Sequence, residues 1–251
     1  MKLKGRVAIV TGGGSGIGKA IAARLAQDGA TLVIADLNNA AQAAAAIGAG
    51  GTPTLGFETD VTSEPSVQAM VDEVARKFGR IDILVNNAAY FSSIPMQPFE
   101  KISVGEFMKA MNVNVLGTFL CCKAAVPHMR AQGRGRIINL GSGAPIKGNP
   151  FFLHYVTSKG AVITMTRALA REVGKDNITV NALAPGFTLS EGIMANPEHM
   201  KRDREAMNRT RAIPRDQHPD DLVGTVSFLA SDDAAFLTGQ TIVVDGGSAM
   251  V

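Results

Sequence analysis

The apolar run Val7-Ala8-Ile9-Val10 leads directly into Thr11-Gly12-Gly13-Gly14-Ser15-Gly16-Ile17-Gly18, and a helical pattern follows. Strand, glycine turn and helix in that order open a βαβ unit, which commits the chain to a parallel sheet with crossover helices. The glycines permit positive φ and let the backbone approach a pyrophosphate, whose charge the free N–H groups at the helix start attract. The next apolar run, Thr31-Leu32-Val33-Ile34-Ala35, ends at Asp36. A carboxylate there accepts hydrogen bonds from the adenosine ribose hydroxyls and repels a 2′-phosphate, so NAD is favoured over NADP. Ser15 and Leu37 bring no positive charge that would hold such a phosphate. The alternative is an aspartate that merely caps the next helix.

The same alternation continues along the chain. Strands are predicted near 6–11, 31–35, 54–58, 81–85, 135–140, 178–183 and 241–245, and helices near 16–28, 38–47, 64–78, 104–131, 153–174 and 219–230. This is an α/β pattern: a single-domain Rossmann fold over 1–251, doubly wound, with a mostly seven-stranded parallel sheet and helices on both faces. With 251 residues and 46% hydrophobic content, one such domain buries a sizeable core and no second domain is needed. The segment 187–215 breaks the regularity, mixing Gly192, Pro197 and Pro214 with methionines and charges. Long connections of this kind are usually functional or disordered.

Tyr155 and Lys159 in His154-Tyr155-Val156-Thr157-Ser158-Lys159 lie four residues apart, which sets both on one face of a helix. A neighbouring ammonium favours the phenolate, lowering a reference pKa of about 10 toward the working range. Ser142, at the end of the strand Arg136-Ile137-Ile138-Asn139-Leu140, falls at the carboxyl edge of the sheet, where open α/β folds bind ligands. A serine-nucleophile reading is weaker, because Gly141-Ser142-Gly143 lacks the GxSxG elbow. His154 points to a different side of the helix from Tyr155 and reads as a packing or interface residue.

Net charge is only +3, so nothing in the overall balance calls for nucleic acid or an anionic membrane surface. Cys121 and Cys122 are adjacent, a spacing that makes neither a disulfide framework nor a metal site, and a cytoplasmic location is expected. The opening Met1-Lys2-Leu3-Lys4-Gly5-Arg6-Val7 has no signal-peptide region, and no apolar run reads as a membrane span.

At these residues the chain resembles the short-chain dehydrogenase/reductase family, whose pattern is a TGxxxGxG turn, an NNAG-like strand end, an asparagine, a serine and a YxxxK pair. The resemblance covers nearly the whole chain. It implies hydride transfer between NAD and a secondary alcohol or its ketone, with Asn114, Ser142, Tyr155 and Lys159 catalytic. It also implies a dinucleotide site of Gly12, Ser15, Gly16, Ile17, Gly18, Asp36, Leu37, Asp60, Val61, Asn87, Ala88 and Ala89, completed by Tyr155, Lys159, Pro185, Gly186, Thr188 and Ser190. Asn114 is expected to hold a helix distortion open and bind a water linking Lys159 to solvent; the alternative is an asparagine bonding a neighbouring helix backbone. Asp60 is expected at the adenine, or else bonded to the turn it begins. Ala89 departs from the family's glycine: costly if the position has positive φ, tolerable if the glycine serves only close approach. Ser190 replaces a threonine and keeps the hydroxyl.

The segment 187–215 corresponds to the family's substrate lid, whose Met194, Met200 and Met207 suit an apolar ligand; an ordinary solvated helix is the plainer reading. Tyr90, Phe91, Ile146, Phe151 and Phe152 suggest an apolar pocket for a cyclic or aromatic substrate. The main rival is a 3-oxoacyl-thioester reductase, for which Lys201, Arg202, Arg204, Arg209, Arg211 and Arg215 form a basic run. That run is interrupted by Asp203 and Glu205 and reads equally as a solvated face. A non-catalytic dinucleotide-binding sensor is the alternative of another class, since fold alone does not establish turnover. The resemblance further implies a homotetramer packed through the long helices near 104–131 and 153–174.

Overall fold

The computed structural model describes residues 1–201 and 204–250. Seven strands, β1 (Val7–Thr11), β2 (Thr31–Asp36), β3 (Thr54–Glu58), β4 (Ile83–Asn86), β5 (Gly135–Leu140), β6 (Ile178–Pro185) and β7 (Thr241–Val244), pair in the order β3-β2-β1-β4-β5-β6-β7. Every pairing is parallel. All residues of β1, β4, β5 and β6 are buried, as continuous apolar runs require when both faces of a sheet are covered.

Successive side chains alternate between the faces. Ala8, Val10, Leu32 and Ile34 join one core with helices α1 (Gly16–Gln27), α2 (Ala40–Gly48) and a C-terminal helix (Asp220–Ala230). Val7, Ile9, Val33 and Ala35 join the other core, under α3 (Glu64–Phe78) and two later helices. Those two belong to the segments α4 (Val104–Met111), α5 (Gly117–Ala131), α6 (Ala144–Lys147) and α7 (Leu153–Val173), of which α5 and α7 face the sheet. Three short helices follow in the segment 187–215, α8 (Glu191–Met194), α9 (Pro197–Met200) and α10 (Arg204–Arg209), so that the C-terminal helix is α11.

Local signals explain several boundaries. Ser103 Oγ accepts the Glu106 N–H at 3.2 Å while a Glu106 carboxylate oxygen accepts the Ser103 N–H at 2.9 Å, a capping box that starts α4. Gly79, at φ +70°, ends α3 in the left-handed conformation that glycine adopts without cost. Chain order places the sheet's reversal between β1 and β4: the chain runs outward from β1 through β2 to β3, then returns to the far side of β1. The crevice beyond the carboxyl ends of those two strands is where such sheets bind ligands.

Two expectations need correction. The helix predicted over 104–131 is interrupted by a π-turn at Asn112–Leu116. The joined helix Val104–Ala131 is also long and apolar enough to cross a membrane by length and composition, which inspection of single apolar runs misses. Half of its most apolar stretch is buried inside the protein, with α5 packed on α3 and the sheet.

Candidate active site

The glycine turn folds as its spacing predicts. Gly12 and Gly16 have φ of +61° and +52°, and Gly18 is required by proximity rather than by its backbone angle. A Cβ on Gly18 would stand 2.1 Å from the Gly12 carbonyl oxygen and 2.4 Å from Asn87 Nδ2. Asn87 closes this contact by donating from Nδ2 to the carbonyls of Thr11 (3.0 Å) and Gly12 (2.9 Å). Thr11 Oγ1 accepts the N–H groups of Asn87 and Ala88, both at 3.1 Å, and so ties the ends of β1 and β4 together. Thr11 was not singled out in the sequence; its place directly before the first glycine is the available signal.

Gly12, Gly16, Gly18, Asn87 and Ala88 form one wall of a cleft of about 390 Å³ that also takes in Ser15, Ile17, Asp36, Leu37, Asp60, Val61, Ala89, Pro185, Gly186, Thr188 and Ser190. Asp36 Oδ2 accepts the Gly14 N–H at 2.9 Å and Oδ1 accepts the Asn38 N–H at 3.1 Å, so the carboxylate braces the turn as well as facing the cleft. Asp60 lines the cleft, and its Oδ1 accepts from Thr62 N–H (2.8 Å) and Thr62 Oγ1 (2.7 Å), the bond to the turn it begins. Ala89 is exposed and is not among the residues with positive φ, so its extra methyl meets no backbone penalty. Ser190 lies against Gly16, whose Cβ would stand 3.3 Å from the Ser190 Cβ.

Helix α7 delivers Tyr155, Ser158, Lys159 and Val162 to its buried face, the stripe that i, i+3, i+4, i+7 spacing predicts. Ser142, beyond β5, accepts the Ala144 N–H at 3.1 Å and is hydrogen-bonded to the Tyr155 hydroxyl. Asn114 sits at the centre of the π-turn, fully buried. Its Oδ1 accepts the Tyr90 N–H at 2.7 Å and its Nδ2 donates to Ser158 Oγ at 2.9 Å and to the Tyr90 carbonyl at 3.3 Å. Ser158, also not foreseen, donates onward to the Tyr155 carbonyl at 2.7 Å. Asn114 thus reaches α7 through the Ser158 hydroxyl. A second buried chain, Asn86 Nδ2 to Asn139 Oδ1 (2.8 Å) and Asn139 Nδ2 to Thr166 Oγ1 (2.9 Å), fixes α7 to β4 and β5.

The electrostatics depart from the simplest expectation. Burial pushes the Tyr155 phenol up to about 12, the Ser142 hydrogen bond opposing only part of that rise. Burial pushes Lys159 down to about 8. Its ammonium donates to the Leu140 carbonyl at 2.6 Å, so in this structure its charge is directed to the end of β5 and desolvation governs the phenol.

Ser142 and Tyr155 also line a second cavity of about 340 Å³, which shares Phe91, Pro185 and Gly186 with the first. Phe91 stands 4.4 Å from the Tyr155 ring and 5.9 Å from Phe152, and His199 of α9 packs 5.1 Å from Phe91. Phe187 and Met207 complete the apolar lining. Tyr90, Ile146 and Phe151 do not line it. Tyr90 lies under the Lys109 ammonium, 4.4 Å away, and Phe151, at φ +67°, is half exposed. Of Met194, Met200 and Met207 only Met207 lines the cavity; Met194 is exposed.

The basic run dissolves into local pairs. Lys201 meets Glu198 (2.6 Å), Arg204 meets Asp216 (3.4 Å), Arg209 meets Glu205 (3.8 Å) and Arg215 meets Asp221 (2.6 Å). Arg202 and Asp203 lie outside the described residues.

The family model described as enoyl-(acyl carrier protein) reductase matches residues 12–249. A short-chain dehydrogenase/reductase of Armillaria gallica is 40% identical over 255 residues, 97% of this chain and 96% of its own length. The (2S)-[(R)-hydroxy(phenyl)methyl]succinyl-CoA dehydrogenase subunit of Thauera aromatica is 38% identical over 253 residues, 100% of this chain and 99% of its own. Among solved structures, the 3-ketoacyl-(acyl-carrier-protein) reductase of Brucella melitensis complexed with NADH superposes with a TM-score of 0.89 at 33% identity, covering 99% of this chain and 100% of that one. A glycine-turn cleft meeting a Ser–Tyr–Lys site on one parallel sheet, and likeness running the length of each relative, have one reading: the chain belongs to the short-chain dehydrogenase/reductase family.

Proposed function

We propose that the protein is an NAD-dependent dehydrogenase/reductase acting on a secondary alcohol or its ketone with an apolar, cyclic or aromatic body. The observation that carries this reading is the shared wall: the Tyr155 and Ser142 hydroxyls belong at once to the dinucleotide-shaped cleft and to the aromatic-lined cavity beside it. The glycine cradle, with no room for a Cβ at Gly18, fits a pyrophosphate against the start of α1. Asp36 supports NAD over NADP, because its carboxylate faces the cleft with Leu37 and Ser15 beside it and no cation among them. Bound there, NAD or NADH takes or supplies the hydride.

The chain's own residues handle the oxygen and its proton. Ser142 orients the substrate oxygen, and Tyr155, whose phenol is neutral at ordinary pH, gives its proton to a ketone oxygen in the reductive direction. In the oxidative direction Tyr155 takes the alcohol proton as the phenolate, after passing its own proton to the neutral amine form of Lys159 or to solvent; Lys159, held near 8, is the group on the same face able to exchange a proton close to neutrality. Asn114 and Ser158 are positioning residues that hold the first turn of α7 through the bonds to Tyr90 and Tyr155. The substrate body lies among Phe91, Phe152 and Phe187.

The test is absorbance in the NADH band with NAD or NADP and a panel of secondary alcohols, and with NADH or NADPH and matching ketones and a 3-oxoacyl thioester. Turnover of aromatic or cyclic pairs with NAD(H) is expected. Tyr155→Phe is expected to lower turnover by ~10²–10⁴ and leave NADH binding intact. Thioester reduction confined to NADPH would overturn both the substrate and the cofactor assignment. A homotetramer is part of the same proposal, supported by large apolar side chains left exposed: Val104, Met108 and Phe119 on α4–α5, Leu153 on α7, and Phe236. Light scattering that returned a monomer would refute it.

A further inference from the structure

The second cavity has a charge as well as an apolar wall. Lys147 and Arg211 against Asp245 leave its lining one positive charge in excess, two cations to one carboxylate. Arg211 is committed to the lid: Nη1 donates to Asn208 Oδ1 (2.9 Å) and the Arg215 carbonyl (2.5 Å), and Nη2 to the Phe187 carbonyl (2.9 Å). Asp245 is committed too, and buried. Its Oδ1 accepts the N–H groups of Gly247 (3.0 Å) and Ser248 (2.9 Å), and its Oδ2 that of Ala249 (2.9 Å).

Lys147 differs from both. It is exposed at the cavity, and among the described residues its ammonium enters no ion pair. Its hydrogen bond goes to the Ser248 hydroxyl at 2.5 Å, which lies 3.0 Å from the Thr210 hydroxyl. Thr210 Oγ1 donates its proton to the Met207 carbonyl at 2.8 Å, so the Ser248 hydroxyl, which accepts from Lys147, donates to Thr210; the Lys147 ammonium, oriented by this chain at the cavity that holds the Tyr155 and Ser142 hydroxyls, keeps its remaining N–H groups without an acceptor of matching charge. A carboxylate oxygen answers such donors with charge-assisted bonds, and a single uncommitted cation suits a monoanion better than a phosphate dianion.

We propose that Lys147, supported by Ser248 and Thr210, binds a carboxylate at the far end of the substrate, so that the substrates are carboxylate-bearing aromatic or alicyclic secondary alcohols and their ketones. This rests on the dehydrogenase/reductase reading above and names the substrate class of the same site. Lys147 is a specificity-determining residue, separate from the groups that handle the reacting oxygen.

The test compares acids with their neutral amides, using para-acetylbenzoate, meta-acetylbenzoate and benzoylacetate so that the spacing from carbonyl to anion is varied. Each pair is titrated calorimetrically into the NAD-saturated protein, wild type and Lys147→Met, and is offered with NADH for reduction. At least one acid is expected to bind about tenfold tighter than its amide, with the preference abolished in Lys147→Met while the amide and NAD affinities stay unchanged. In kinetics the variant should raise KM for that acid with kcat nearly constant. Equal binding of acid and amide in all three pairs, undetectable binding of every probe, or equal weakening of acid and amide by Lys147→Met would each overturn the proposal. A carboxylate preference without reduction of any probe sinks the dehydrogenase reading for these compounds and leaves the anion site standing. Reduction of acids and amides with equal KM does the reverse.

Discussion

Replacing Lys159 with methionine should abolish turnover and yet stabilise the ligand-free protein, by an amount that depends on pH in a defined direction. The lysine is buried and its pKa falls from 10.5 to about 8. At pH 7 the ammonium is charged in both folded and unfolded chains, so folding carries the full penalty, about 3 kcal/mol at 1.36 kcal/mol per unit. Between pH 8 and 10.5 the unfolded chain holds more protons than the folded one, so wild-type stability rises with pH there; above 10.5 both forms are neutral and the penalty is gone. Methionine matches the stem's volume and does not titrate. It leaves the Leu140 carbonyl without its 2.6 Å donor, a loss of roughly 1–3 kcal/mol at every pH. The net gain at pH 7 is therefore up to about 2 kcal/mol. The surer quantity is the difference between the two proteins, which should move by about 2 kcal/mol against the variant from pH 7 to pH 10. Urea unfolding of both proteins at the two pH values measures it, other titrating groups cancelling in the comparison. A difference that does not change with pH, or that moves in the variant's favour as pH rises, refutes burial as the cause of the shift.

Gly18→Ala should cost about 1–3 kcal/mol of stability and weaken NADH binding strongly, because its methyl would fall 2.1 Å from the Gly12 carbonyl oxygen, a contact only backbone movement relieves. Fluorescence titration with NADH checks it, and wild-type affinity would show that the cradle tolerates the shift. Asp36→Ser should lower the NAD-to-NADP ratio of kcat/KM by about tenfold or more, since a serine accepts fewer ribose bonds and removes the charge that repels a 2′-phosphate. An unchanged ratio would mean that Asp36 serves only the Gly14 and Asn38 N–H groups it holds.

Periodicity and punctuation made most of the fold legible. The strands that are buried on both faces read as unbroken apolar runs, and the i, i+4 spacing of Tyr155 and Lys159 sufficed to place both on the buried side of α7. The π-turn at Asn112–Leu116 was not legible as an element, because an i→i+5 turn has the same residue preferences as the helix around it. Aromatic composition near the site pointed correctly to Phe91 and Phe152 but equally to Phe151, whose left-handed backbone turns it toward solvent. Direction, unlike periodicity, is set by the tertiary structure. The four-residue helix α6, which ends at Gly148 in the left-handed conformation and carries Lys147, is too short to show a period. The cavity it borders is assembled from Lys147, Thr210 and Ser248, residues far apart in the chain. Proximity also misled on the phenol: four residues from an ammonium suggested a lowered pKa, whereas burial of both groups and the Leu140 carbonyl's hold on Lys159 set the balance.

The π-turn fixes a length where it leaves composition free. An extra residue within a helix displaces everything after it by about 100° around the axis relative to an unbroken helix. Nine residues of α5, from Gly117 to Met129, are buried as a consequence of the phase the turn sets. Deleting any one residue of 112–116 would let the hydrogen-bond ladder close regularly, yet it would rotate that whole apolar stripe out of step with α3 and the sheet. Substitutions across these five positions are therefore separable from indels: the former act on individual side chains, while the latter reset a helix that the core under α3, α5 and α7 depends on.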